Sequence, residues 1–242
     1  MSLNIPAHLK ELRFLQLTLF TLVFLIISPL LSSSLILSIL AQILILNSLL
    51  VSLSAGGFES RYKLVLWSLW AISILGYLLA TFEVAPTMIP LWWLIDIFFT
   101  TLLLLGCIVA TCTFIFRSRR ITLDTIFAAV VVYLFIAFTY AQLFHLLSFW
   151  QPDSFLASTR NSASPNVFKM DMVYFSLVTI ATLGYGDIVP KMPVPRMVAA
   201  LEAVMGQFFV AIFVAWLVGK FISHSGQNDQ NGVTKVKSGS GP

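Results

Sequence analysis

Charged side chains are scarce in this sequence. Only 10% of its 242 residues are Asp, Glu, Lys or Arg, where a soluble domain carries about 25%. So little charge cannot cover a water-facing surface, and a mean hydropathy of +0.95 says that most of the chain faces lipid or other apolar helices. Cysteine is scarcer still: Cys107 and Cys112 share one apolar run, which excludes a disulfide framework and a thiolate metal site. Paired intramembrane acids and a Ser–His constellation are missing too, so an intramembrane protease or other enzyme is not indicated. No basic, aromatic-interleaved patch suggests nucleic acid.

What is present is a series of apolar stretches. A helix of roughly 20 apolar residues crosses a hydrocarbon core, and six such spans are expected, over about 11–28, 35–53, 63–81, 91–116, 123–149 and 194–221. Pro29 with Ser32, Ser33 and Ser34 reads as a tight hairpin between the first two. The start shows no cleavable leader pattern: Lys10 and Arg13 abut a full span. With both termini cytoplasmic, ten of the fourteen Lys and Arg residues fall on the inside. The densest group is Arg117, Arg119 and Arg120, an orientation anchor beside anionic lipid or a dedicated lipid-regulatory site. A plasma (inner) membrane location follows from this reading. After Phe221 the tail is rich in Gly, Ser, Gln and Asn and is expected to be disordered, its last five residues resembling a vector-derived remnant.

Between the fifth and sixth spans, residues 169–181 are too few to cross a membrane. Asp171 would sit in the first turn of a re-entrant half-helix, where a carboxylate favours the positive end. Irregular backbone at that depth survives only if it is buried in protein or lines a watery cavity, so Thr182 to Asp187 must line something polar.

The run Thr182-Leu183-Gly184-Tyr185-Gly186-Asp187 resembles the signature of potassium channels, with Leu183 where that family more often has Val or Ile. The resemblance implies an all-α integral membrane protein of the six-transmembrane, one-pore-loop kind, with a re-entrant pore helix and selectivity filter between the fifth and sixth helices. Gly184 and Gly186 accept φ > 0, so successive carbonyls turn to one axis. Four copies then stack rings of oxygens that replace the hydration shell of potassium. The ion would bind at Thr182, Leu183, Gly184 and Tyr185. One such segment per chain implies a homotetramer, and argues against a secondary transporter with several pore-like repeats. Potassium is the permeant ion and no cofactor is implied.

The resemblance also assigns neighbours. Tyr174 stands where many relatives have a Trp that bonds the Asp after the filter, so a Tyr174–Asp187 cuff is expected. Val178 stands where some relatives carry a Glu, so that second cuff is absent. Gly206 matches the spacing of an inner-helix hinge glycine, with simple close packing as the alternative. Gln207, Val210, Ala211, Val214, Val218 and Ile222 fall on one helical stripe, read as cavity lining. Phe213 and Ala215 stand where a Pro-x-Pro kink would be. Glu202, an acid within the last span, is costly there and a functional hypothesis by default. It is read as a carboxyl bonded to pore-helix backbone or Thr179, or as a proton-sensitive latch on the filter.

Three regions are therefore expected: 1–120, resembling a voltage-sensor domain without its charges; 121–222, the pore; and 223–242, the tail. Voltage sensing needs several charges in the field, each worth about 2.3 kcal/mol per 100 mV. The fourth span has no Lys or Arg before Arg117, only Asp96, so voltage sensitivity is expected to be weak or nil. His145 with Gln142 is read as an interfacial pair, or an external pH sensor. The rival functions are a less selective cation pore and a non-conducting assembly partner.

Overall fold

In hydrocarbon every backbone N–H and C=O must be satisfied within its own segment, so apolar runs fold as helices. The architecture comes from a computed structural model, which describes residues 13–28, 35–56, 60–82, 87, 89–118, 121–151, 153–157 and 165–238. The chain order is α1 (Arg13–Ile27), α2 (Leu35–Gly56), α3 (Ser60–Thr81), α4 (Ile89–Arg117), α5 (Leu123–Trp150), β1 (Phe155–Ala157), α6 (Pro165–Ile180), β2 (Ile188–Pro190) and α7 (Pro193–Ser238). Among the described residues four helices are long and apolar enough to cross a membrane: Arg61–Leu79, Pro90–Arg117, Leu123–Trp150 and Pro193–Phe213. The stretches Arg13–Ile27 and Gln42–Leu53 are apolar but shorter. With 15 residues, α1 reaches only about 22 Å. The hairpin expected at 29–34 lies outside the described residues.

The central element is α5. Thr122 caps it: its hydroxyl accepts from Thr125 N at 3.3 Å, and Thr125 Oγ1 accepts in return from Thr122 N at 3.5 Å. This is a capping box with Thr in place of the usual Glu or Gln. Ala128, Ala129, Ala137 and Ala141 are buried along α5, and small residues let neighbouring helices approach closely. One core joins Phe14 and Leu17 of α1, Leu53 of α2, Leu103, Leu104 and Cys107 of α4, and Val131, Val132 and Phe135 of α5. Asp124 at the start of α5 accepts from Phe14 N at 2.7 Å, tying the first turn of α1 to α5. Asp96 is fully buried between α3 and α4, where it accepts from Ser73 Oγ at 2.9 Å and Thr100 Oγ1 at 3.2 Å. Ser52 and Thr111 meet hydroxyl to hydroxyl at 3.0 Å across α2 and α4.

At the other end of α5, Phe144, Phe155 and Phe175 pack edge-on, with centroids 5.0 to 5.8 Å apart. They seat β1 against α5 and α6. Strand β1 pairs antiparallel with β2, Phe155 opposite Pro190 and Ala157 opposite Ile188. The segment leaving α5 is thereby stitched to the segment following Asp187.

Two expectations are corrected. Helix α6 starts at Pro165, whose missing N–H and fixed φ suit a first helical position, so no acid lies in its first turn and Asp171 sits further along. Helix α7 does not end near Phe221 but continues to Ser238, so the described part of the tail is helical rather than disordered. No proline interrupts it between Pro195 and Pro242, and Gly226 and Gly232 each cost only about 1 kcal/mol.

Candidate functional site

The site begins where α6 stops. Thr182 N donates to Thr179 O at 2.9 Å and Leu183 N to Val178 O at 2.9 Å. This pair of bonds is a Schellman cap, whose residue after the cap takes left-handed backbone and is usually glycine. Here it is Thr182, with φ of +57°. A β-branched residue there is strained, and strain of this kind clusters at functional sites. Beyond it Gly184 has φ of +56° and Gly186 φ of +80°. Positive φ thus recurs at every second residue, at 182, 184 and 186.

Every residue from Thr182 to Asp187 is exposed on the single chain, Leu183 at 58% and Tyr185 at 68%. A Cβ built on Gly184 or Gly186 meets nothing within 4 Å. The loop is held from both flanks. Tyr174 Oη donates to Asp187 Oδ2 at 2.8 Å, while Asp187 Oδ1 accepts from Ile188 N at 3.0 Å, so both carboxylate oxygens are engaged. The carboxylate acceptor pushes the Tyr174 phenol above its ordinary value. Gln207 Nε2 reaches Thr182 Oγ1 at 3.5 Å from α7. Val178 is buried and offers Asp187 no second partner.

Behind the loop stands a group in which Tyr133 and Ser176 join residues already singled out in the sequence. Tyr133 of α5 donates its hydroxyl to Ile180 O, the last carbonyl of α6, at 3.1 Å. Glu202 is fully buried, and its partner is Ser176. This corrects the expectation of Thr179 or pore-helix backbone: the bond is made by the Ser176 hydroxyl, three residues earlier on the same face of α6. Ser176 Oγ also contacts Ala137 O of α5 at 2.6 Å. Tyr133 and Ser176 could have been singled out only as polar side chains in apolar stretches. Gly206 sits against Ile180: a Cβ there would lie 2.5 Å from Ile180 O and 2.7 Å from Ile180 Cγ1. Helix α7 is unbroken at that point, so the close-packing reading accounts for this glycine and a hinge is not needed. Gln207, Val210 and Ala211 are exposed along one side of α7; the side chains of Val214, Val218 and Ile222 lie outside the described residues.

Replacing Tyr174 by Phe removes one bond to a carboxylate in an exposed position, a net loss of about 0.5–1.5 kcal/mol. The expected result is current that decays about two- to tenfold faster during steady recording. An unchanged decay would show that the cuff does not hold the loop.

Comparisons with known proteins match the stretch of sequence that holds this site. A family model described as "Ion channel" matches residues 121–223, from α5 through the loop into α7. Protein LctB of Bacillus caldotenax is 31% identical over 99 residues, which are 40% of this chain and 72% of that protein. Two pore potassium channel a of Oryza sativa subsp. japonica is 41% identical over 46 residues, 19% of this chain and 13% of that one. The chain therefore spans a small part of the plant relative and most of the bacterial one. No solved structure matches.

The match runs from α5 through the loop into α7, and its family is one of channels rather than of enzymes. The chain belongs to the ion-channel family.

Proposed function

We propose that four copies of the chain assemble around the axis faced by Thr182–Gly186 and conduct potassium selectively. The carrying observation is the alternation of positive φ at Thr182, Gly184 and Gly186. It supports coordination of the ion by the carbonyls of Thr182, Leu183, Gly184 and Tyr185, with the Thr182 hydroxyl below. The tetramer rests on the exposure of this loop. Non-helical backbone at membrane depth must be buried in protein or line a watery cavity, and one chain alone leaves the loop uncovered. In this reading α6 is the re-entrant pore helix, 121–222 the pore domain and 1–120 a peripheral four-helix domain. Both termini face the cytoplasm across the inner (plasma) membrane, and Arg117, with Arg119 and Arg120 outside the described residues, meets anionic lipid.

Purified protein reconstituted alone in vesicles should pass potassium, and bi-ionic reversal potentials should favour potassium over sodium. Absence of flux would leave the non-conducting assembly partner, and equal permeabilities the unselective pore. The pore should also respond weakly to voltage. Helix α4 has Asp96 as its only charge before Arg117, and that carboxylate is pinned by hydroxyls of α3 and α4. A conductance–voltage curve should yield less than about one gating charge per subunit; several charges per subunit would contradict this.

A further inference from the structure

The hydroxyl of Ser176 has two acceptor neighbours and a single proton. Its Oγ lies 2.6 Å from Ala137 O and in hydrogen-bond contact with Glu202 Oε1. A serine hydroxyl donates once and accepts through its lone pairs, a carbonyl only accepts, and an ionised carboxylate only accepts. Were Glu202 ionised, one of the two contacts would be oxygen lone pair against oxygen lone pair, without a proton between them. The Ala137 carbonyl cannot supply the missing proton. We infer that Glu202 carries it: the protonated carboxyl donates to Ser176 Oγ, and Ser176 donates to Ala137 O. The hydrogen bonds then run one way, from α7 through α6 to α5.

The surroundings fit a neutral acid. Glu202 is fully buried, and among the described residues its Oε2 has no hydrogen-bond partner. A buried charge demands compensation that a neutral carbonyl oxygen does not. Among the described residues the titratable groups within electrostatic reach are Tyr133 and Tyr140, both on α5. From α6 the acid meets the Ser176 hydroxyl, while Tyr174 is committed to Asp187. Its neighbours one turn away on α7 are Val198, Ala199, Met205 and Gly206. No cation is among these groups.

Glu202 is thus a positioning residue. Ser176 lies one helical turn before Ile180, whose carbonyl takes the Tyr133 hydroxyl and abuts Gly206. The clasp and these two contacts fix the end of α6 from which the filter loop departs. Removing the proton breaks one of the two Ser176 bonds and leaves a buried charge facing oxygen, so the clasp holds while Glu202 is protonated and opens as pH rises. The location of the proton stands on the hydrogen bonds alone; its consequence for conduction rests on the proposed pore.

Infrared spectra of the purified full chain and of Glu202→Gln at neutral pH test the proton. The difference should show loss of a protonated-carboxyl C=O band; a difference confined to carboxylate bands overturns the inference. Flux in vesicles tests the clasp. Wild-type potassium flux should fall several-fold from neutral to alkaline pH. In Glu202→Gln, whose amide N–H₂ can donate to Ser176 at any pH, the decline should be lost, and in Tyr140→Phe it should persist. A parallel decline in wild type and Glu202→Gln overturns the clasp. If neither protein passes potassium, the failure belongs to the pore reading, and the infrared difference still decides the proton.

Discussion

Gly206→Ala should cut potassium flux by more than tenfold in the assembled protein and should lower selectivity, although the change adds a single methyl group. That methyl would lie 2.5 Å from Ile180 O, a distance at which something must shift, and the atom it meets is backbone. Forcing a methyl into a packed site costs about 1–3 kcal/mol per chain, and in the proposed tetramer four copies would multiply the cost around one axis. The carbonyl cannot retreat freely, because Tyr133 Oη is bonded to it at 3.1 Å and the Schellman turn leading to Thr182 follows directly. Gly219→Ala is the matched control: among the described residues its Cβ meets nothing within 4 Å, and alanine is the better helix former by about 1 kcal/mol. Reversal potentials distinguish packing from a hinge. A hinge defect changes open probability with selectivity intact, whereas a displaced Ile180 carbonyl changes selectivity itself. Gly206→Ala with wild-type flux and selectivity would remove this account.

The left-handed backbone of the loop at 182–186 could be anticipated from the sequence because its chemistry is contiguous. Two glycines, a threonine and an aspartate in six residues constrain their own backbone, and the apolar stretch before them is too short to cross a membrane as a helix. The Tyr174 and Asp187 pair shared that advantage, being 13 residues apart across one turn of known shape. Contacts set by helix packing were not legible. Whether Ser176 or Thr179 faces Glu202 depends on the rotation of α6 against α7, which hydropathy does not encode. Tyr133 reaches Ile180 across 47 residues for the same reason. The β1–β2 pair is only three residues long on each side, and its register comes from the Phe144, Phe155 and Phe175 cluster rather than from any alternation in the strands. Helix ends were read least well. Hydropathy places the start of α6 at Lys169 whereas the helix begins at Pro165, and the polar composition after Phe221 says what cannot bury a core, not what backbone the segment adopts.

Gly184→Ala should abolish selective potassium conduction while leaving the helices intact, and the reason is conformational rather than steric. An added Cβ has open space around it, yet Gly184 sits at φ of +56°. Holding an L-residue in left-handed backbone costs about 1–2 kcal/mol. Summed over the four chains of the proposed pore this is about 4–8 kcal/mol, enough to depopulate the filter conformation by a factor of about a thousand or more. Thr182 shows that the cost can be met: it holds φ of +57° with both capping bonds of α6 in place and its hydroxyl in reach of Gln207. Gly184 lacks such a cap. Its N–H has only a long 3.5 Å contact to Val178 O, which already accepts from Leu183 N at 2.9 Å. Circular dichroism should therefore be unchanged in Gly184→Ala, while potassium flux is lost or sodium permeates equally. Selective flux at the wild-type level would mean that the left-handed backbone at this residue plays no part in conduction.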